Sequence, residues 1–205
     1  MAARCLPVSD LAIEAAAKII KEGGIVAFPT DTVYGLGCDP SNEEAVRALF
    51  DVKSREAKPV PVLCAGVGDA KKLVLLNETA SRLADLHWPG ALTIVAPLRR
   101  QSLVSPLLHQ GDGCLGVRVP DSKTSRDIAR KVGGAVTGTS ANISGRPSCR
   151  TAREVMDSLG DKIQLVIDGG TLRGRASTVV RVSGRTVEVL REGSVRIQEG
   201  ELLKP

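Results

Sequence analysis

Short apolar runs alternate along this chain with stretches whose apolar residues recur at helical spacing. Residues 9–24, SDLAIEAAAKIIKEGG, place Ile13, Ala16, Ala17 and Ile20 on one face, with Ser9 or Asp10 as cap and Gly23–Gly24 as stop. IVAF (25–28) then reads as a buried strand. SNEEAVRALFDVK (41–53) opens with a capping-box pattern, Ser41 with Glu44, and continues as a helix through Ala45, Leu49 and Phe50. VPVLCA (60–65), ALTIVAPL (91–98), CLGVRVP (114–120) and IQLVIDGG (163–170) predict further strands. NETASRLADLHWPG (77–90), capped by Asn77, KTSRDIARKVGG (123–134) and TAREVMDSLG (151–160), with Thr151 and Glu154 as a second capping box, predict helices. AVTGTSANISGRPS (135–148) reads as a short strand and a long polar loop, and residues 176–193 as a hairpin turning at Ser183–Gly184.

Strands alternating with helices predict an α/β architecture, and the hairpin adds antiparallel character. The expectation is a single domain over residues 1–205 (core about 9–195, C-terminal tail 196–205), with helices flanking a twisted mixed β-sheet. No apolar run is long enough to cross a membrane, and MAARCLPVSD has no signal-peptide core. Five cysteines, an odd count without a CxxC pair, argue against a disulfide framework or structural zinc and for a reducing compartment, the cytoplasm. The net charge of +5 favours an anionic partner such as a nucleotide, phosphate or RNA. Phe28, Tyr34, Phe50 and Trp88 are the only aromatics, a poor platform for stacking single-stranded bases. The charge therefore reads as the lining of a pocket, with a shallow docking face for RNA as a second use.

Four loops are polar where strands end: PTDTVYGLG (29–37), VKSREAKP (52–59), TGTSANISGRPS (137–148) and GGTLRGRAST (169–178). In α/β folds ligands gather at the carboxyl ends of strands, so these loops are expected to face one another. Lys53, Arg55 and Lys58 either clamp phosphates or complement the C-terminal dipole of the preceding helix. Thr137, Thr139, Ser140, Asn142 and Ser144 suit an anion or a base edge, or form a solvated loop. Arg118, in an otherwise apolar strand, needs either a fixed carboxylate or a ligand carboxylate. There is no P-loop, no GxGxxG after a strand and no HExxH. His87 and His109 carry no triad signature. What remains suits electrostatic positioning of phosphates.

Taken together, PTDTVYGLG, the Lys-x-Arg of KSREAKP, WPGALTIV, GVRVP, TSANISGRPS, STVV and LREG resemble, in order, the YrdC-like family of L-threonylcarbamoyl-AMP synthases, from about Gly23 to Gly193. The resemblance implies the YrdC-like fold and a reaction that joins L-threonine, bicarbonate and ATP, carried with Mg²⁺, into threonylcarbamoyl-AMP and pyrophosphate. It implies downstream proteins that transfer the threonylcarbamoyl group to tRNA, and leaves tRNA contact with this chain open. By resemblance Thr32, Arg118 and Ser177 hold threonine. Lys53, Arg55, Lys58, Ser140, Asn142, Ser148 and Arg191 meet ATP, with Lys53 and Arg55 as the catalytic pair and no protein-made metal site. Leu63 stands where many longer relatives carry histidine, Arg181 where aspartate is frequent and Glu192 where proline is. The sequence resembles the short form of the family. An RNA-binding module of the same fold without synthase activity, and a paralogue with other carbamoyl or nucleotide chemistry, remain open readings.

Overall fold

A computed structural model describes residues 2–54, 58–109 and 111–197. Its strands divide between two mixed sheets. The first has the order β1 (Arg4–Pro7), β9 (Leu165–Asp168), β2 (Val26–Phe28), β3 (Gly35–Gly37) and β8 (Thr139–Ser140). The second runs β11 (Thr186–Arg191), β10 (Thr178–Ser183), β5 (Leu92–Pro97), β6 (Cys114–Arg118), β4 (Val62–Cys64) and β7 (Ala135–Thr137). The sequence pattern predicts one twisted mixed sheet, and the split has a local cause. Between β7 and β8 only Gly138 intervenes, and there the chain passes from one sheet to the other. Thr137 N–H donates to Cys38 C=O (3.0 Å) and Cys38 N–H to Thr137 Oγ1 (2.8 Å), so the sheets meet along this seam. A Cβ on Gly138 would lie 2.3 Å from Leu63 Cγ, so this crossing takes no side chain.

Side-chain alternation builds two cores. Val26, Phe28, Leu165 and Ile167 face helices α1 (Asp10–Lys21) and α5 (Lys123–Lys131), which bring Ile13, Ala16, Ile20 and Ile128. Ala27 and Val166, one residue out of phase, join the larger core with Tyr34, Leu49, Leu83, Val117 and Val155. Helices α2 (Glu43–Val52), α4 (Glu78–His87) and α6 (Ala152–Leu159) supply that second side.

Caps follow the sequence in α1 (Ser9), α4 (Asn77) and α6, where Thr151 and Glu154 form the full capping box. In α2 the cap is Asn42, whose side chain accepts from Ala45 N–H, because the Ser41 hydroxyl and N–H are already spent on Asp39 Oδ1. Further elements lie outside the pattern: β1, β3 within PTDTVYGLG, α3 (Val67–Leu73), the short 3-10 turn Pro106–Leu108, and β8, which falls in the stretch read as a polar loop.

Tyr34 pins the loops together. It is fully buried; its hydroxyl donates to Gly170 C=O (2.9 Å) and accepts from Gly169 N–H (3.0 Å). Its backbone accepts from Ala141 N–H and donates to Cys149 C=O. Burial foremost pushes the phenol up to about 12. Tyr34→Phe is expected to cost about 1 kcal/mol in urea unfolding near neutral pH, since it removes the hydroxyl's two hydrogen bonds to the exposed Gly169–Gly170 turn, whose backbone groups water can then satisfy. The raised phenol pKa contributes stability that is present below the ordinary tyrosine value and is lost as pH rises through the folded one. The gap between wild type and Tyr34→Phe should therefore narrow between pH 10 and 12.

Candidate functional site

The polar loops converge on a cleft of about 180 Å³. Thr30, Thr32 and Val33 form one wall, Thr139 and Ser140 a second, and Ala176 and Ser177 a third. Pro59, Pro61 and Leu63 close an apolar side.

Arg118, the last residue of β6, forms the floor and is only 5% exposed. Its Nε donates to Gly90 C=O (2.8 Å), one terminal nitrogen to Thr32 Oγ1 (3.2 Å) and the other to Asp31. The fixed carboxylate that the sequence reading offered for this arginine is Asp31, and the guanidinium also lines the cleft. Burial lowers its pKa and Asp31 opposes the shift; a guanidinium stays charged throughout. Thr30 Oγ1 donates to Val33 C=O (2.7 Å), which leaves it to accept from Thr32. The hydroxyls thus align as a chain from the guanidinium through Thr32 and Thr30 to a carbonyl, and Thr32 presents its oxygen in one fixed orientation.

Across the cleft, Arg191 at the end of β11 donates from Nε and a terminal nitrogen to Ser177 C=O (3.1 and 2.8 Å), and also to Ser177 Oγ (3.0 Å). Ser177 Oγ lies 3.0 Å from Thr93 Oγ1, a hydroxyl buried in β5. Arg191 is held below its usual pKa by burial and then by the field of Arg118. Two guanidinium groups facing one cavity leave it short of negative charge. A neighbouring recess shares Val33, Ser148 and Ala176 with the cleft and adds Pro147, Arg150 and Arg175.

Of the residues singled out in the sequence, Thr32, Arg118, Ser140, Ser148, Ser177 and Arg191 line the cleft. Asn142 is buried; its amide donates to the carbonyls of Ile143 (2.9 Å) and Arg146 (2.6 Å). Lys53 is fully buried, with its ammonium on the carbonyls of Ser140 (2.5 Å) and Asn142 (2.9 Å). Lys58 is exposed, and Arg55 lies outside the described residues. Thr30, Thr93 and Tyr34 also line the cleft, though no sequence argument assigned them a role. Thr30 and Tyr34 lie in the polar loop PTDTVYGLG, and the signal for Thr93 is a hydroxyl at a position where the strand pattern demands burial.

A cleft with an arginine floor, oriented hydroxyls and basic flanks on an α/β scaffold defines a protein that binds a small anionic substrate. The comparisons narrow this class. A family model described as "Telomere recombination", that of Sua5, YciO and YrdC, matches residues 18–193, and the chain belongs to this family. The chain is 38% identical over 175 residues to the threonylcarbamoyl-AMP synthase of Idiomarina loihiensis, covering 82% of this chain and 90% of the relative. It is 34% identical over 199 residues to the threonylcarbamoyl-AMP synthase of Bacillus subtilis, covering 96% of this chain and 57% of the relative. The crystal structure of Pyrococcus abyssi Sua5 complexed with L-threonine is similar at a TM-score of 0.86 and 34% identity, over 94% of this chain and 57% of that one. The chain thus spans nine tenths of one curated relative and little more than half of the Bacillus and Pyrococcus proteins.

Proposed function

We propose that this chain is an L-threonylcarbamoyladenylate synthase, a nucleotidyltransferase that condenses L-threonine, bicarbonate and ATP to threonylcarbamoyl-AMP and pyrophosphate. The observation that carries this reading is the buried Arg118 fork, presented with Thr32 at the bottom of the cleft. A guanidinium matched to a hydroxyl suits the carboxylate and side-chain oxygen of threonine. Ser177, held by Arg191 and facing Thr93, lines another wall of the same cleft. Similarity to relatives named threonylcarbamoyl-AMP synthase supports the assignment.

In the proposed reaction the threonine amine attacks the carbon of bicarbonate, and water is lost as the N-carboxylate forms. An oxygen of that carboxylate attacks the α-phosphorus of ATP, and the bond from this phosphorus to the bridging oxygen breaks, so pyrophosphate leaves with its electron pair. Negative charge gathers on the phosphoryl oxygens, where Arg191 and the hydroxyls of Ser140 and Ser148 are assigned to receive it. Arg55 is assigned to the β- and γ-phosphates from its place in the Lys-x-Arg motif, with Lys58 at the mouth. Magnesium enters on ATP as part of the substrate. The product is a mixed anhydride, so a transfer protein acting on tRNA is its expected consumer. All five cysteines are free thiols, which fits the reducing cytoplasm. Among the described residues no helix is long and apolar enough to cross a membrane. Carbon from labelled bicarbonate and carbon from labelled threonine should both appear in one nucleotide product; a labelled carbamate free of AMP would refute adenylation.

A further inference from the structure

The mechanism leaves Lys53 without a stated task, and its surroundings give it one. Helix α2 ends at Val52, Lys53 caps it, and Ser54 turns the chain through a left-handed conformation (φ 47°). This turn sends the Lys53 side chain inward, where it is fully buried. Its ammonium donates to the carbonyls of Ser140 and Asn142, and its own carbonyl accepts from Ser144 N–H (3.0 Å). Three hydrogen bonds therefore fasten residues 140–144 to the end of α2, two of them charge-assisted. The fastened loop carries Ser140 into the cleft. Burying a lysine is costly unless its ammonium is satisfied, so the side chain is committed to this place rather than drawn there in passing.

We infer that Lys53 is a positioning residue for the nucleotide, acting through the 140–144 loop, and not a ligand of the ATP phosphates. This rests on the nucleotide site proposed above. The ammonium is fully buried, so to reach the β- or γ-phosphate it would have to swing out of its slot and away from the carbonyls of Ser140 and Asn142, which is expensive. The ammonium's field also reaches the buried Cys149 thiol, where it partly offsets the upward push of burial and of Glu154.

The two roles separate by ligand and by chemistry. In Lys53→Met, which keeps the length of the side chain in its slot, binding of AMP, ADP and ATP measured by calorimetry should weaken by one common factor of about tenfold. L-Threonine binding should be unchanged and reports the fold. A loss that grows from AMP to ATP, or no loss at all, overturns the inference. The wild-type protein gives a second test that needs no variant. Treated with acetic anhydride and mapped by mass spectrometry, Lys53 should stay unmodified with and without ATP. Acylation of Lys53 in the free protein that ATP prevents would show an ammonium waiting for phosphate and would refute positioning. Failure of wild-type protein to bind AMP would instead count against the nucleotide site itself.

Discussion

Arg118→Met lowers kcat/KM for L-threonine by about 10²-fold or more, with most of the loss in KM. The size follows from what the change leaves behind. The guanidinium makes three hydrogen bonds, one to each of Gly90, Thr32 and Asp31. Methionine removes the cation that a substrate carboxylate needs and strands Asp31, whose side chain is only 14% exposed, without its partner. Breaking a buried pair from one side costs roughly 3–5 kcal/mol, because the surviving charge is uncompensated. Part of the penalty must therefore appear in stability, and Arg118→Met/Asp31→Asn should recover much of the melting temperature without recovering threonine binding. Steady-state kinetics with threonine varied, beside thermal melts of both variants, separate the two effects. Full recovery of threonine KM in the double variant would show that Arg118 only neutralises Asp31.

Gly193→Ala is the second large effect, and it acts from outside the cleft. A Cβ there would lie 2.3 Å from Ala176 O, Ser177 C and Thr178 N, all backbone atoms that cannot swing aside. The glycine lets the strand end carrying Arg191 lie flat against Ser177, and Ser194 N–H then donates to Ala176 C=O (3.0 Å). Alanine must lift this segment, and overpacking of this kind costs roughly 1–3 kcal/mol. The melting temperature should fall by about 5 °C. Catalysis should fall further than stability does, because Arg191 loses its hold on Ser177 even in the folded population. Assays well below the melting transition would show this, and unchanged turnover there would mean that Arg191 does not need Ser177.

The fold was legible where apolar spacing was long and capped. Helices α1, α4, α5 and α6 and strands β5, β6, β9 and β10 follow their periodicity and turn residues. Strand β3 was not, because GLG has one side chain to alternate and reads as a loop; it becomes a strand only when β2 and β8 pair with it on either side. Strand β1, RCLP, is mostly exposed, and with Leu6 alone packed on the core it is too short to show an alternation. The single expected sheet became two because the break depends on Gly138 meeting Leu63, a contact between residues 75 positions apart.

The site was legible as a set of loops but not as a geometry. Arg118 stood out because a charge in an apolar strand must be answered, and the answer, Asp31, sits in the loop that also bears Thr32. Thr93 was hidden in LTIV, where a lone hydroxyl reads as ordinary strand composition until Ser177 is found opposite it. For Lys53 the sequence offers a phosphate clamp or a partner for the helix dipole; its burial was not legible, because only the turn at Ser54 and the two carbonyls of the facing loop show it lying inside.

The measurement closest to the central claim is pyrophosphate release from Mg-ATP, with L-threonine and bicarbonate each supplied and each withheld. Synthase activity predicts release only when both are present, and in Arg118→Met a release that needs far more L-threonine than the wild type does. Release that ignores threonine would contradict the account and point to other nucleotide chemistry on the same fold. Absence of release from protein that binds ATP would contradict it as well, and would favour a binding role for the cleft.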